Sequence, residues 1–193
     1  MQRLLALSIA LVILMPVGCA SARGHVYVAA GWPSDSTDLG RIAIVGPTVS
    51  PRVSSSKEEE IKRIARETLA HLPGATLVEN HELLERLGPD SDTGPISDYE
   101  AVTAARELDL DTVCLLTVGH YQGVLSISLL PPMWSTRTTV LYSIRLIDVQ
   151  SGRALLHAVR LRTGGGHFAI LTSRDLADDF RNDLEALLMG AQT

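Results

Sequence analysis

Thr138 to Asp148 reads Thr-Thr-Val-Leu-Tyr-Ser-Ile-Arg-Leu-Ile-Asp, an alternating run rich in β-branched residues. Side chains that change face at every residue and pack on a pleated surface define a β-strand. Gln150-Ser151-Gly152 then makes a turn, and Arg153 to Thr163 returns with Leu155, His157, Val159 and Leu161 on one face. A slip of one residue would exchange the two faces of such a pair, so the register of this long antiparallel hairpin is set by its pattern. Gly164-Gly165-Gly166 is expected to end it as a flexible strand exit.

The rest of the chain supplies the other strands and the helices. Ile42-Ala43-Ile44-Val45-Gly46 is a short apolar run, consistent with a buried strand. Ser54 to Ser56 offer helix caps before Lys57-Glu58-Glu59-Glu60, and acidic residues favour a helix N-terminus. Ile61, Ile64, Ala65, Thr68, Leu69 and Leu72 follow at helical spacing, and Pro73-Gly74 stops the helix. Ala75 to Glu79 forms a second strand, and Leu83, Leu84 and Leu87 mark a short helix. Ser97 and Glu100 have capping-box spacing ahead of a helix with Ala101, Ala104, Ala105 and Leu108 on its apolar face. Asp111 to Gly119 is apolar on both sides, as a central strand is, and Val124 to Leu129 is a possible additional one. A closing helix puts Leu176, Phe180, Leu184, Leu187 and Leu188 on one stripe. The pattern predicts an α/β fold. It has a mixed sheet of about five to six strands with flanking helices, and its long C-terminal antiparallel hairpin is followed by a helix.

The N-terminus has a different logic. Arg3 precedes an apolar run, Leu4 to Met15, which is too short to span the roughly 30 Å hydrocarbon core as a helix and fits a cleavable signal. Pro16-Val17-Gly18-Cys19 resembles a lipobox, with Pro16 where Leu is usual. That resemblance implies acylation of Cys19, and two or three chains at about 0.8 kcal/mol per buried CH2 make a stable anchor. Ala20 follows where inner-membrane lipoproteins carry Asp, so the same resemblance implies an outer-membrane anchor with the domain in the periplasm. Residues 1–18 are therefore expected to be the signal peptide, 19–40 a lipidated tether rich in Gly, Ser and Pro, and 41–193 a single α/β domain. Loss of Arg3 with the leader takes the formal charge from −5 to −6, a balance that argues against nucleic-acid binding. Cys114, in the apolar run Val113 to Leu116, reads as a small core residue.

Several stretches in order carry a family resemblance. They are Arg41 to Val45, the helix from Lys57, Ala75 to Glu79 leading into His81-Glu82-Leu83-Leu84, Ala105 to Val113, and Leu146 to Leu156. Together they resemble the periplasmic lipoprotein domain family of the CsgG, LpoB and PelC type. The resemblance implies a non-enzymatic envelope lipoprotein that binds an envelope partner or itself, with no cofactor and no catalytic residues. The chain lacks the long insertions from which the curli protein builds its channel.

Motifs for chemistry are weak. His81-Glu82-x-x-Glu85 places Glu85 where a zinc helix needs a second His, and reads as a solvated face. His167 to Leu171 follows the three glycines without the Lys of a phosphate loop. His120 and His157 lie in strands; an alternative reading as a periplasmic hydrolase or small-ligand-binding protein requires one pocket gathering His120, His157 or Asp148. Tyr121 to Thr136 is distinctive because it has many apolar residues and no charge. Leu125, Ile127, Leu129, Leu130, Met133 and Trp134 are its candidate partner-binding residues. They either cover the sheet or form an exposed patch for self-association, a protein partner or a bilayer.

Overall fold

The computed structural model describes residues 21–29, 32, 38–78, 81–88, 96–129, 132–167 and 172–190. The signal segment, Cys19, Ala20 and Leu130 lie outside the described residues. In chain order the elements are β1 (Ser21–Val28), β2 (Gly40–Val49), α1 (Ser55–Ala70), β3 (Ala75–Val78) and α2 (His81–Leu87). They continue with α3 (Asp98–Glu107), β4 (Thr112–Leu129), β5 (Pro132–Asp148), β6 (Ala154–His167) and α4 (Ser173–Leu188). The six strands form one mixed sheet in the order β1-β6-β5-β4-β2-β3. β2 is parallel to β3 and β4, and the other pairs are antiparallel. The α/β class, the strand number and the hairpin with its closing helix are those that the residue pattern predicts.

Each face of the sheet has its own core, because neighbouring residues of β2 and β4 point opposite ways. Ile42, Ile44, Cys114, Leu116 and Val118 join Ile61, Ile64 and Leu69 of α1 and Leu176, Phe180 and Leu184 of α4. Ala43, Val45, Val113 and Leu115 join Leu83 of α2 with Ala101 and Ala105 of α3. β4 thus lies between β5 and β2 with both sides covered, as its doubly apolar sequence requires. Helix α3 begins with the anticipated capping box. Ser97 Oγ accepts from the Glu100 amide at 3.2 Å, and the Glu100 carboxylate accepts from the Ser97 amide at 3.1 Å.

Two expectations need correction. Residues 21–28, read as tether, are strand β1, paired with β6 from Ser21↔Thr163 to Val28↔Leu156. Most of its side chains are exposed, so backbone hydrogen bonds hold it, and no burial pattern announces it in the sequence. The triglycine does not end the hairpin either: Gly164, Gly165 and Gly166 continue β6, opposite Thr138, Arg137 and Thr136. Glycine is required there by close approach. A Cβ on Gly165, whose φ is +111°, would stand 2.0 Å from the Thr136 carbonyl oxygen.

The alternation of β6 leaves open which of its faces is inside. Val159 and Leu161 are 40 % and 38 % exposed, whereas Leu156, Ala158 and Arg160 on the opposite face are buried. Arg160 is tolerated because α4 brings Asp183, 2 % exposed, against it. Arg160 Nη2 donates to Asp183 Oδ1 at 2.9 Å and the Tyr142 hydroxyl donates to Oδ2 at 2.7 Å. Arg162 donates to Asp179 Oδ1 at 3.1 Å one turn earlier on α4. Paired and hydrogen-bonded charges can sit in a core where single ones cannot.

Candidate functional site

β4 and β5 are longer than the helices that cover them. Tyr121 is the last core residue of β4; its hydroxyl donates to Glu60 at 3.0 Å and its ring meets Phe180 edge-on at 6.0 Å. Beyond it the two strands pair from Gln122↔Thr139 to Leu129↔Pro132. At about 3.3 Å per residue this makes an arm about 23 Å long.

The register sorts the arm into two faces, because cross-strand partners share a side. Leu125, Ile127 and Leu129 lie with Trp134 on the side that carries Tyr121 and Val140 in the core. Val124, Ser126, Arg137 and Ser135 lie on the other. The apolar stripe therefore continues the core-facing side of the sheet past the ends of α1 and α4. Leu125, Ile127, Leu129 and Trp134 are 59 %, 69 %, 82 % and 41 % exposed. These four side chains are therefore exposed and do not cover the sheet. Met133 pairs with Ser128 in the ladder, and Leu130 falls outside the described residues.

The N-terminus meets the sheet at the root of this arm. Ser21 pairs with Thr163, Thr163 with Thr139, and Thr139 with Gln122. The chain thus reaches the sheet at that level only two residues after Cys19.

A second open surface lies on the other face, where α2 and α3 reach only the Ile147 end of β5 and leave its Leu141 end, β6 and β1 uncovered. Leu141, Val159, Leu161 and Tyr27, the last 58 % exposed, are its apolar residues. Sequence reading missed this patch because Val159 and Leu161 alternate as core residues do.

No single site gathers the scattered polar candidates. His157 pairs with Arg145 and His120 with Leu141, so they are four positions apart along β5, about 13 Å. Asp148 lies at the far end of β5 and lines a concave region of about 610 Å³ with Asp38, Asp109, Asp111 and Arg106. Three of its carboxylates accept from the backbone. Asp148 accepts from the Ser151 amide at 2.7 Å, Asp111 from the Arg41 amide at 2.7 Å and Asp38 from the Gly40 amide at 3.0 Å. His81 and Glu85 are exposed and pair with each other at 3.2 Å. Cys114 is fully buried, and desolvation pushes its thiol up to about 12, which keeps it protonated and unreactive. No helix among the described residues is long and apolar enough to cross a membrane.

The fold has solved counterparts. PelC from Paraburkholderia phytofirmans, solved as a dodecamer, is 16 % identical, covers 92 % of this chain and 99 % of its own, and superposes with a TM-score of 0.51. A point variant of the same dodecamer in another crystal form gives 0.52, at 16 % identity over 90 % of this chain and 99 % of that one. Lipoprotein GNA1162 from Neisseria meningitidis is 19 % identical over 75 % of this chain and 95 % of that one, with a TM-score of 0.47. No family model and no curated protein sequence matches the chain. At this identity the PelC likeness establishes a shared fold, along nearly the whole of both chains.

Proposed function

We propose that this protein is a non-enzymatic envelope lipoprotein. It is anchored through acylated Cys19 at the outer membrane, with its domain in the periplasm, and serves as an adaptor or assembly factor. The apolar arm is its second membrane contact. One observation carries the reading: the chain leaves Cys19 and enters the sheet at the root of the arm, so anchor and apolar stripe share one end of the molecule. An anchor two residues from Ser21 holds that end within a few ångströms of the bilayer surface, and an arm of about 23 Å then reaches the acyl region. An exposed apolar stripe with a polar reverse face suits that boundary.

The test uses the full chain in vesicles of phosphatidylethanolamine and phosphatidylglycerol with brominated acyl chains. A Trp32→Phe variant leaves Trp134 as the sole indole. Strong quenching of its fluorescence is expected, and unquenched Trp134 emission overturns the membrane contact. Metabolic labelling with palmitate tests the anchor: Cys19→Ser should abolish incorporation, and an unlabelled wild-type chain overturns it.

A second reading is self-association, favoured by the dodecameric state of PelC on this fold. Sedimentation in a non-brominated detergent separates the two, because Ile127→Asp with Trp134→Asp should remove the membrane contact yet leave the mass unchanged unless the arm also joins subunits.

A further inference from the structure

At the root of the arm, between the sheet and the ends of both covering helices, is a cavity of about 220 Å³. Lys57 of α1, Thr172 and Leu176 at the start of α4, and Gly123, Leu125 and Thr136 of the arm line it. It is large enough for about seven waters at about 30 Å³ each. Gly123 keeps it open on the sheet side, since a Cβ there would meet nothing within 4 Å.

Two groups in this wall, one buried and one half-buried, have bonding capacity to spare. Thr136 is 8 % exposed, and its Oγ1 has no hydrogen-bond partner among the described residues. Buried hydroxyls are normally paired, and each exception needs an explanation. The Lys57 ammonium lies 5.9 Å from the centre of the Tyr121 ring and pairs with no carboxylate among the described residues. The nearby acids are engaged elsewhere. Glu60 accepts the Tyr121 hydroxyl, Asp175 accepts from Thr172 in the α4 capping box, and Asp179 accepts from Thr138 and Arg162. The wall thus offers two cations, Lys57 and Arg137, without a carboxylate partner among the described residues and one buried hydroxyl without a hydrogen bond, with an apolar stripe leading away. That is the complement of an anionic head on an apolar tail.

We propose that this cavity receives the phosphate headgroup of one phospholipid, whose acyl chains lie along Leu125, Ile127, Leu129 and Trp134. The phosphate oxygens accept from the Lys57 ammonium and the Thr136 hydroxyl. The assignment rests on the arm meeting the bilayer, and it adds that the contact selects a lipid by its head.

Native mass spectrometry tests it on the full chain released from dodecyl maltoside micelles, with dioleoylphosphatidylglycerol or dioleoylglycerol added. The wild type is expected to retain one phosphatidylglycerol and about tenfold less of the phosphate-free lipid, the scale of one charge-assisted hydrogen bond. Lys57→Gln and Thr136→Val should each bring phosphatidylglycerol down towards the dioleoylglycerol level, while Lys57→Arg retains it. Circular dichroism confirms that each variant is folded. Equal retention of the two lipids by the wild type overturns the headgroup site and leaves the arm's membrane contact standing. Retention of neither overturns that contact as well. Displacement of phosphatidylglycerol by millimolar inorganic phosphate assigns the cavity to free phosphate and overturns the lipid assignment.

Discussion

Replacing Asp183 by Ala tests whether α4 is held to the sheet by charge as well as by its apolar stripe. The carboxylate is 2 % exposed and takes Arg160 at 2.9 Å and the Tyr142 hydroxyl at 2.7 Å. Its removal leaves a guanidinium that is 8 % exposed, and a buried phenol, facing a small void. Removing one partner of a buried pair costs about 3–5 kcal/mol. The lower end applies, because Arg162 already shares Asp183 at 3.7 Å and Asp179 lies one turn away. A cost of about 3 kcal/mol lowers Tm by about 6–12 °C for a domain of this size. The assay is thermal unfolding followed by circular dichroism, with urea titration to obtain the free energy. The companion variant Arg160→Met with Asp183→Leu removes both charges and should recover most of the loss, since apolar replacement of a buried pair is often neutral. A single-variant cost below about 1 kcal/mol, or a double variant no more stable than the single one, refutes this account of the pair.

Other expectations follow from the same geometry. Burial raises the pKa of Cys114, Tyr121 and Tyr142, so the stability tied to their neutral forms is complete below pH 9 and is lost as the pH rises. Unfolding free energy measured against pH should fall above 9, and Cys114→Val should flatten part of that slope between 9 and 12. Gly165→Ala should destabilise by more than about 1 kcal/mol in urea titration, because both its φ and its space exclude a Cβ. Gly123→Ala, with nothing within 4 Å, should cost no stability by the same measurement. Amide exchange should be faster along β1 than along β5, which has partners on both sides and covered residues.

The sequence carried the fold wherever burial imposed a period. The β5–β6 hairpin, the doubly apolar β4, the capping box at Ser97 and the leucine stripe of α4 are all local consequences of which side chains leave water. Strand β1 was invisible for the converse reason, since Ser21 to Val28 buries almost nothing and its alternation of Arg23, His25 and Tyr27 with small residues has no core to answer to. The inside of β6 was not legible because its buried face carries Arg160 and Arg162, whose partners lie on a helix some twenty residues later. Most of the arm was legible as the uncharged apolar stretch from Tyr121 to Thr136, but its exposure depends on where α1 and α4 stop. No periodicity encodes the convergence of Lys57 and Thr136, which are nearly eighty positions apart.

The direction of β1 has a mechanical consequence. The chain enters at Ser21 and runs antiparallel to β6, so a pull from the N-terminal side acts along the strand. Such a load shears the whole β1–β6 ladder at once, where a pull across the strand would unzip one pair at a time. An element with little thermodynamic grip on its neighbour is thereby oriented to resist force along its axis, and it transmits that tension through β6 into the β5–β6 hairpin.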